Sequence, residues 1–332
     1  MPVEQVAIAK PPKSRGSASA AVTVLRPMSE VRAAKAAFKR RSSAKNTRRA
    51  YLSQWRMFEE WCRARELAAL PCTPETLADY LTERAAVVGA ATVRQAVSAI
   101  GFVHKQAGIP DNLQPQRHAE VTVTHSGIRK TLGVAPRRRV APLMIDALRT
   151  VVRALPNTLA GKRNRALIAI GFSGALRRSE VVALCVSDVT FTPEGLMVLV
   201  RRSKTDQYGK GTTLALPSKS TVDCPARALR AWLKASGVHE GPIFRSLHNG
   251  RMGKSLSDRS VASIVQRAAA AAGLDGDFAG HSLRAGLATS AARAGKHDRD
   301  IQSQGRWANL TTLSTYVRHA NLFGPHNAAD GL

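Results

Sequence analysis

Residues 280–319 read GHSLRAGLATSAARAGKHDRDIQSQGRWANLTTLSTYVRH, and this stretch decides which fold and which chemistry the chain can support. His281 and Arg284 are three residues apart, a spacing that places both on one face of a helix. Gly305 and Trp307 follow, and Tyr316 lies nine residues after Trp307. An isolated H-x-x-R pair is ordinarily a structural contact, so its meaning depends on the rest of the chain.

A second polar pair and a β-hairpin lie upstream of this stretch. Arg177 and Glu180 are again three residues apart, which predicts a common helical face. Taken alone, such a pair indicates a structural salt bridge. Residues 196–201 and 212–216 have the composition of strands, and the glycines between them suit a turn, so the sequence predicts a hairpin whose loop carries Lys204.

In this order, these elements resemble the tyrosine recombinase family, also called the phage integrases. The family pattern is an arginine in a G-x-x-R-x-x-E turn, a lysine in a β-hairpin, an H-x-x-R pair, a histidine or tryptophan after a glycine, and a tyrosine nine residues later. The resemblance covers residues 143–319 closely and the N-terminal part loosely. Most members carry histidine at the position of Trp307, so Trp307 and residues 281–295 are more similar to the Cre-like members.

The resemblance implies that the chain cleaves and rejoins DNA through a 3′-phosphotyrosine bond, with Tyr316 as the nucleophile. A phenol with a pKa of about 10 attacks poorly unless its proton is removed, and His281 is the implied acceptor. The departing 5′-oxygen is a stronger base and needs a proton, for which Lys204 is the implied acid. Because the ester conserves the energy of the broken bond, no metal, ATP or other cofactor is expected.

The same resemblance assigns the remaining motif residues to the phosphate. The five-coordinate phosphorane carries extra negative charge, which fixed cations must meet. Arg177 and Arg284 are the implied clamp, since a guanidinium donates to two oxygens and stays protonated. Glu180 is implied to hold one of these arginines in place. Trp307 can donate through its indole N–H but cannot act as an acid or a base.

Two other functions remain open at this point. A type IB topoisomerase shares the cleavage step, and a catalytically inactive, sequence-specific DNA-binding protein would share the basic character. The helical N-terminal region and Trp307 favour recombination, and the complete set of motif residues argues against an inactive protein. Tyr208, near Lys204, is the rival nucleophile, although a surface turn residue is the simpler interpretation.

The charge of the chain indicates a polyanionic partner. Lysine and arginine outnumber aspartate and glutamate by 50 to 23, and a basic protein gains affinity for DNA by releasing counterions. The expected partners are a double-stranded DNA recombination site and, by the resemblance, further copies of the chain in a tetramer on two duplexes, with Leu322 and Phe323 as candidate anchors between subunits. No C-x-x-C pair and no apolar run of about 18 residues occurs, so a cytoplasmic, nucleoid-associated protein without membrane contact is expected.

Periodicity predicts a mainly helical α+β protein with a small β-hairpin or sheet. Residues 1–44 are expected to form a flexible basic leader, 45–132 a helical core-binding domain, 133–141 a linker and 142–332 the catalytic domain. The resemblance adds that the two domains form a C-shaped clamp on DNA.

The N-terminal domain is expected to contain four helices: one from residue 46, one from 74 towards 88, one over 91–107 and one over 116–132. In the first, four aromatic residues share one face and predict a core stripe: Tyr51, Trp55, Phe58 and Trp61. The side chains expected to contact DNA are Arg48, Arg94, Gln95, Arg137, Arg138, Arg139 and Arg202.

Overall fold

The computed structural model describes residues 45–135, 140–203, 206, 208–248 and 251–320, together with the isolated positions 29, 30, 32 and 35. Most of the expected leader lies outside the described residues. So do several expected site residues: Arg137, Arg138, Arg139, Lys204, Leu322 and Phe323. The chain divides between Arg137 and Arg138 into two compact units, here called the N-terminal and C-terminal units.

The regular elements in the described part of the N-terminal unit are all helical. Its helices are α1 (Lys45–Arg63), α2 (Pro74–Ala85), α3 (Ala90–Gln106) and α4 (Ala119–Leu132), with 3₁₀ turns at Asp111–Leu113 and Pro115–Arg117. The predicted stripe on α1 is confirmed, since Phe58 and Trp55 are buried in the core of the unit. Helix α4 begins three residues later than predicted because the chain first makes the 3₁₀ turn at Pro115–Arg117.

Thr73 and Pro74 determine where helix α2 begins. The Thr73 hydroxyl accepts a hydrogen bond from the backbone N–H of Thr76 at 3.2 Å, and Pro74 occupies the first helical position. A threonine cap satisfies one of the N–H groups that a helix start leaves unpaired, and proline has no N–H to satisfy there. The predicted start of this helix is therefore confirmed.

The C-terminal unit combines eight described helices with two small antiparallel sheets. The helices are α5 (Ile145–Ala154), α6 (Leu159–Ser173), α7 (Arg178–Ala183), α8 (Pro225–Ser236), α9 (Asp258–Ala271), α10 (Gly280–Arg293), α11 (Asp298–Gly305) and α12 (Leu310–Ala320). The strands are β1 (Val189–Thr192), β2 (Gly195–Val200) and β3 (Thr212–Pro217) in one sheet, and β4 (Arg245–His248) and β5 (Arg251–Ser255) in the other. The mainly α fold with a small β component is as predicted.

The three-stranded sheet contains the predicted hairpin and one further strand. Strand β2 pairs with β3 in antiparallel register, with Val198 opposite Leu214, and both side chains are buried. Strand β1 has only four residues, too few for a clear alternating pattern. All five residues of β5 are exposed, so the β4–β5 hairpin carries no alternation that would have revealed it.

Helix α10 lies at the centre of the packing in this unit. It contributes Leu283 to the main core, and its opposite side contributes to a second, smaller hydrophobic cluster. That smaller cluster, here called the α12 cluster, consists of Ala175, Ala288, Ala292, Ile301, Trp307 and Leu313, with Tyr316 and Val317 packed against it. The helix that carries Tyr316 is therefore held mainly by the α12 cluster. No helix in the described ranges is long and apolar enough to cross a bilayer.

Gly286 allows the start of the unit to lie directly on α10. The N–H of Leu143 donates to the carbonyl of Ser282 at 3.0 Å, and a Cβ on Gly286 would overlap the carbonyl group of Leu143. Only glycine permits this backbone contact, because any side chain would force the two segments apart.

We expect Gly286→Ala to lower the free energy of unfolding by about 1–3 kcal/mol or more, because the clash is with backbone that cannot move aside cheaply. The measurement is urea unfolding with linear extrapolation. The matched control is Gly127→Ala in α4, where a Cβ would meet nothing within 4 Å. That helix should gain about 0.5–1 kcal/mol. Equal effects of the two substitutions would contradict the close contact.

Candidate active site

Arg177 and Glu180 meet at the start of α7, although not on one helical face as predicted. Arg177 is the residue before the helix and has an extended backbone. The Glu180 carboxylate accepts the backbone N–H of Arg177 at 2.9 Å and its Nη1 at 2.7 Å. Glu180 therefore caps the helix and also orients the guanidinium of Arg177. This capping arrangement explains why the two residues are three positions apart although Arg177 is not in the helix.

A third charged residue, to which the sequence analysis assigned no role, joins this pair. Arg306 Nη2 lies 2.8 Å from the other Glu180 oxygen, Oε2, and the Arg306 side chain is only 8% exposed. It follows Gly305 in the motif that contains Trp307. The position of Arg306 between Gly305 and Trp307 was the feature of the sequence that could have indicated its place in the site.

Arg284 is buried beside this cluster. Its Nη1 donates to the carbonyl of Ala175 at 2.6 Å, and its guanidinium lies 4.0 Å from the centre of the Trp307 ring. Burial, together with the positive charge of Arg177, lowers the pKa of Arg284 to about 10, so it remains protonated at neutral pH. Its Nη2 is buried and has no acceptor among the described residues. A donor of this kind is suited to an anionic ligand.

His281 and Tyr316 are in direct contact. The His281 Nε2 and Tyr316 hydroxyl oxygen are 2.7 Å apart. Part of His281 is exposed, but protein atoms surround the rest of the imidazole, and this desolvation with the charge of Arg284 lowers the pKa of His281. Desolvation raises the pKa of Tyr316, and the charge of Arg284 opposes that rise. A neutral imidazole with its proton on Nδ1 accepts the hydroxyl hydrogen at Nε2.

Trp307 packs against both Tyr316 and Arg284. Its ring is buried, contacts Tyr316 at 5.9 Å between centroids, and covers Arg284 on another side. A Cβ on Gly305 would overlap this ring, so glycine is needed there for the ring to fold back on α11. Gln302 Nε2 donates to the Trp307 carbonyl at 3.0 Å and fixes the turn between α11 and α12.

The hairpin loop that carries Lys204 is described only in part. The Asp206 carboxylate accepts the backbone N–H groups of Lys210 at 3.1 Å and Gly211 at 2.8 Å. Tyr208, the rival nucleophile, is 95% exposed on this loop. Lys204 itself lies outside the described residues, and its role stays a prediction.

The structure thus brings together six of the seven motif residues: Arg177, Glu180, His281, Arg284, Trp307 and Tyr316. Of the residues expected to contact DNA, Arg94 and Gln95 are exposed on α3, Arg202 is exposed after β2, and Arg48 is half-buried on α1. Across the described ranges, no group of three or more His, Cys, Asp or Glu side chains is placed to hold a metal ion. The assembled site pairs a phenol with a base and sets buried guanidinium groups beside them.

Comparison with known proteins agrees with this geometry. The model of the phage integrase family matches residues 142–322. The integrase/recombinase XerD homolog of Selenomonas ruminantium is 38% identical over 295 residues, which cover 85% of this chain and 84% of that protein. The recombinase Cre of Escherichia phage P1 is 26% identical over 303 residues, 84% of this chain and 86% of that protein.

The chain therefore belongs to the phage integrase family and is a tyrosine site-specific recombinase. The likeness to Cre is real but more distant than the likeness to the XerD homolog, so the expectation of greatest similarity to Cre-like members is corrected. In fold, the chain is similar to a lambda integrase dimer bound to a COC′ core site, with a TM-score of 0.57 at 19% identity, covering 88% of this chain and 95% of that one.

We expect Glu180→Gln to lower the free energy of unfolding by about 3–5 kcal/mol, because it leaves the buried Arg306 and the half-buried Arg177 without their shared negative charge. The matched control is Asp111→Asn, which removes the charge from an ion pair of 3.0 Å whose side chains are more than half exposed. That loss should be at most about 1 kcal/mol. Chemical denaturation of both variants measures the difference, and a small effect at Glu180 would argue against a buried charge cluster.

Proposed function

We propose that the chain cleaves and rejoins DNA strands at a specific site through a 3′-phosphotyrosine bond to Tyr316, without metal or ATP. The observation that carries this proposal is the contact of 2.7 Å between the Tyr316 hydroxyl and His281 Nε2, beside the buried guanidinium of Arg284. The covalent ester retains the energy of the broken phosphodiester, so rejoining needs no external energy source.

The first step requires the phenol to lose its proton as it attacks phosphorus. A base must be neutral to accept that proton, and the lowered pKa of His281 favours its neutral form at pH 7. The raised pKa of Tyr316 keeps the hydroxyl protonated until the phosphate arrives. Tyr316 Oη then forms a bond to phosphorus, the bond to the 5′-oxygen breaks, and His281 holds the proton.

The second requirement is compensation of the charge on the phosphorane. Arg177, oriented by Glu180, and Arg284, oriented by the Ala175 carbonyl, are the proposed clamp on the non-bridging oxygens. Each has part of its guanidinium fixed by protein, so little reorganisation is needed when the charge develops. We assign to Trp307 a hydrogen bond from its indole N–H to a phosphate oxygen.

The leaving 5′-oxygen needs a proton, which we assign to Lys204 on the β2–β3 loop. Strand β2 ends at Val200 and strand β3 begins at Thr212. The loop between them therefore belongs to a paired sheet in the same unit as Tyr316. An amine on such a loop can reach a substrate and give up a proton there.

DNA is the proposed substrate for the whole chain. We assign a DNA-binding role to both units, joined by the linker at 133–141, with contacts from Arg48, Arg94, Gln95 and Arg202 and from the three linker arginines. Recombination joins two duplexes at four cleavage positions, so we propose assembly into a tetramer on DNA, with Leu322 and Phe323 as anchors. The place of action is then the nucleoid in the cytoplasm.

We expect wild-type protein to form a denaturant-resistant complex with nicked target DNA in the presence of EDTA, whereas Tyr316→Phe should bind this DNA and form none. The target is obtained beforehand by sequencing the DNA fragments that Tyr316→Phe retains. Tyr208→Phe is the matched control and should form the complex normally, since Tyr208 lies on an exposed turn.

A complex that persists in Tyr316→Phe, or one that maps to Tyr208, would overturn the assignment of the nucleophile. Exchange of strands between two duplexes separates recombination from the topoisomerase activity that shares the cleavage step. Cleavage without any exchange would favour the topoisomerase.

We expect Lys204→Ala to slow cleavage of an ordinary phosphodiester by about 10²–10⁴-fold, the range typical of general acid–base catalysis. Most of that loss should be recovered on a 5′-bridging phosphorothiolate, because a thiol of pKa about 8.5 leaves without protonation. Arg177→Ala should recover nothing, since the phosphorane keeps its uncompensated charge. Single-turnover cleavage of both substrates measures these rates, and equal defects of Lys204→Ala on oxygen and sulfur would make this lysine a DNA-positioning contact instead.

A further inference from the structure

Arg306 is buried in the same cluster as the two arginines of the proposed clamp. Its Nη2 binds Glu180 Oε2 at 2.8 Å, while the Nη1 of Arg177 binds Glu180 Oε1 at 2.7 Å. Glu180 is 2% exposed and therefore interacts with these two cations rather than with water. One carboxylate is thus shared between two guanidinium groups.

The charges of this cluster do not cancel. Arg177 and Glu180 alone would form a neutral pair, and a neutral pair attracts an anionic phosphate much less than a free guanidinium does. With Arg306 the three groups carry a net charge of one positive unit. The carboxylate can then orient Arg177 without removing its positive charge from the site.

The backbone at Arg306 shows that this residue is held at some cost. Its φ is 56° and its ψ is 46°, in the left-handed region that is unfavourable for a residue with a Cβ. Glycine adopts this conformation readily and is the usual residue where a helix ends in this way. Gly305, one position earlier, is instead required by the Trp307 ring. An arginine in the strained position indicates that its side chain is needed.

Two further donors of Arg306 are unused. Its Nε and Nη1 are buried and have no acceptor among the described residues. If the role of Arg306 were only to tie α11 to α7, these donors would be expected to bind backbone carbonyls, as Arg165 does at Leu155 with 2.7 Å. The Nη2 group also donates to the Gly174 carbonyl at 3.5 Å, so one nitrogen of the guanidinium makes its hydrogen bonds and the other two make none among the described residues.

We propose that Arg306 is a positioning residue for DNA cleavage, which offsets the Glu180 carboxylate and so keeps the charge of Arg177 available to the scissile phosphate. This inference rests on the proposed function. It adds a third arginine to the machinery, one that acts through Glu180 and Arg177 rather than on the substrate.

The test compares Arg306→Gly with Arg306→Lys in the full-length protein. Arg306→Gly removes the charge and relieves the backbone, so the turn after α11 keeps its conformation. Single-turnover formation of the covalent complex on nicked target DNA should be about 10–100-fold slower, with little change in Kd for the DNA. Arg306→Lys retains the charge and should be much faster than Arg306→Gly. Arg299→Gln removes a charge from an exposed position of α11 and is the control, with wild-type rates expected.

A second substrate distinguishes an effect of the charge of Arg306 from a purely structural role of its side chain. When a methylphosphonate replaces the scissile phosphate, one negative oxygen becomes a neutral methyl group and the phosphorane needs less positive charge. The ratio of wild-type to Arg306→Gly rates should then fall to within a few-fold. The same ratio on both substrates, or an Arg306→Lys rate as low as that of Arg306→Gly, would overturn the inference.

This design distinguishes a failure of the inference from a loss of folding and from a failure of the proposed function. Thermal unfolding reports whether each variant is folded, and Arg306→Gln, which keeps a long side chain, should reproduce the pattern of Arg306→Gly. If wild-type protein forms no covalent complex with either substrate, the proposed function fails. If wild-type protein forms the complex and Arg306→Gly forms it equally fast, only the role of Arg306 fails.

Discussion

The carboxylate of Glu180 links parts of the chain that are far apart in sequence. It accepts hydrogen bonds from the backbone and side chain of Arg177, at the start of α7, and from Arg306, 126 residues later, at the end of α11. Because it is buried, neither arginine can exchange it for water without exposing a charge. The positions of the turn before α7 and the turn before α12 therefore depend on one side chain.

Helix α10 gives this arrangement its geometry. Within two turns it directs His281 towards Tyr316, Arg284 towards the carbonyl of Ala175, and Gly286 towards the backbone of Leu143. His281 and Arg284 share one face of this helix and Gly286 lies on another, and a rigid helix fixes their mutual distances. His281 and Arg284 thus keep their spacing, because one helix carries both of them.

The motif residues could be predicted from the sequence because the motif is defined by the order and spacing of residues along the chain. This definition does not depend on the local secondary structure. His281, Arg284, Trp307 and Tyr316 come together as expected, the tryptophan in the turn between α11 and α12 and the other three on helices. Other features depended on long-range packing and were missed. The spacing of Arg177 and Glu180 does not distinguish a shared helical face from a capped helix start, and the contact of Arg306 with Glu180 joins residues 126 positions apart in the sequence.

The same limit applies to the sheets. Strands β2 and β3 were predictable because buried and exposed side chains alternate along them. Strand β1 exists through its pairing with β2, with Val189 opposite Val198, and a short strand of this kind has little signal of its own. Strand β5 likewise has no buried face that would reveal it in the sequence, because all five of its residues are exposed.

The uncompensated charge of the cluster has a thermodynamic consequence for the protein as a whole. Arg177 and Arg306 share the Glu180 carboxylate, and their positive charges also act on the buried Arg284, so these guanidinium groups repel one another in the folded chain. In the proposed function a DNA phosphate supplies negative charge at this cluster, and a ligand that binds only the folded state stabilises that state. Under that proposal, bound DNA stabilises the folded C-terminal unit, and the chain is less stable when its target is absent.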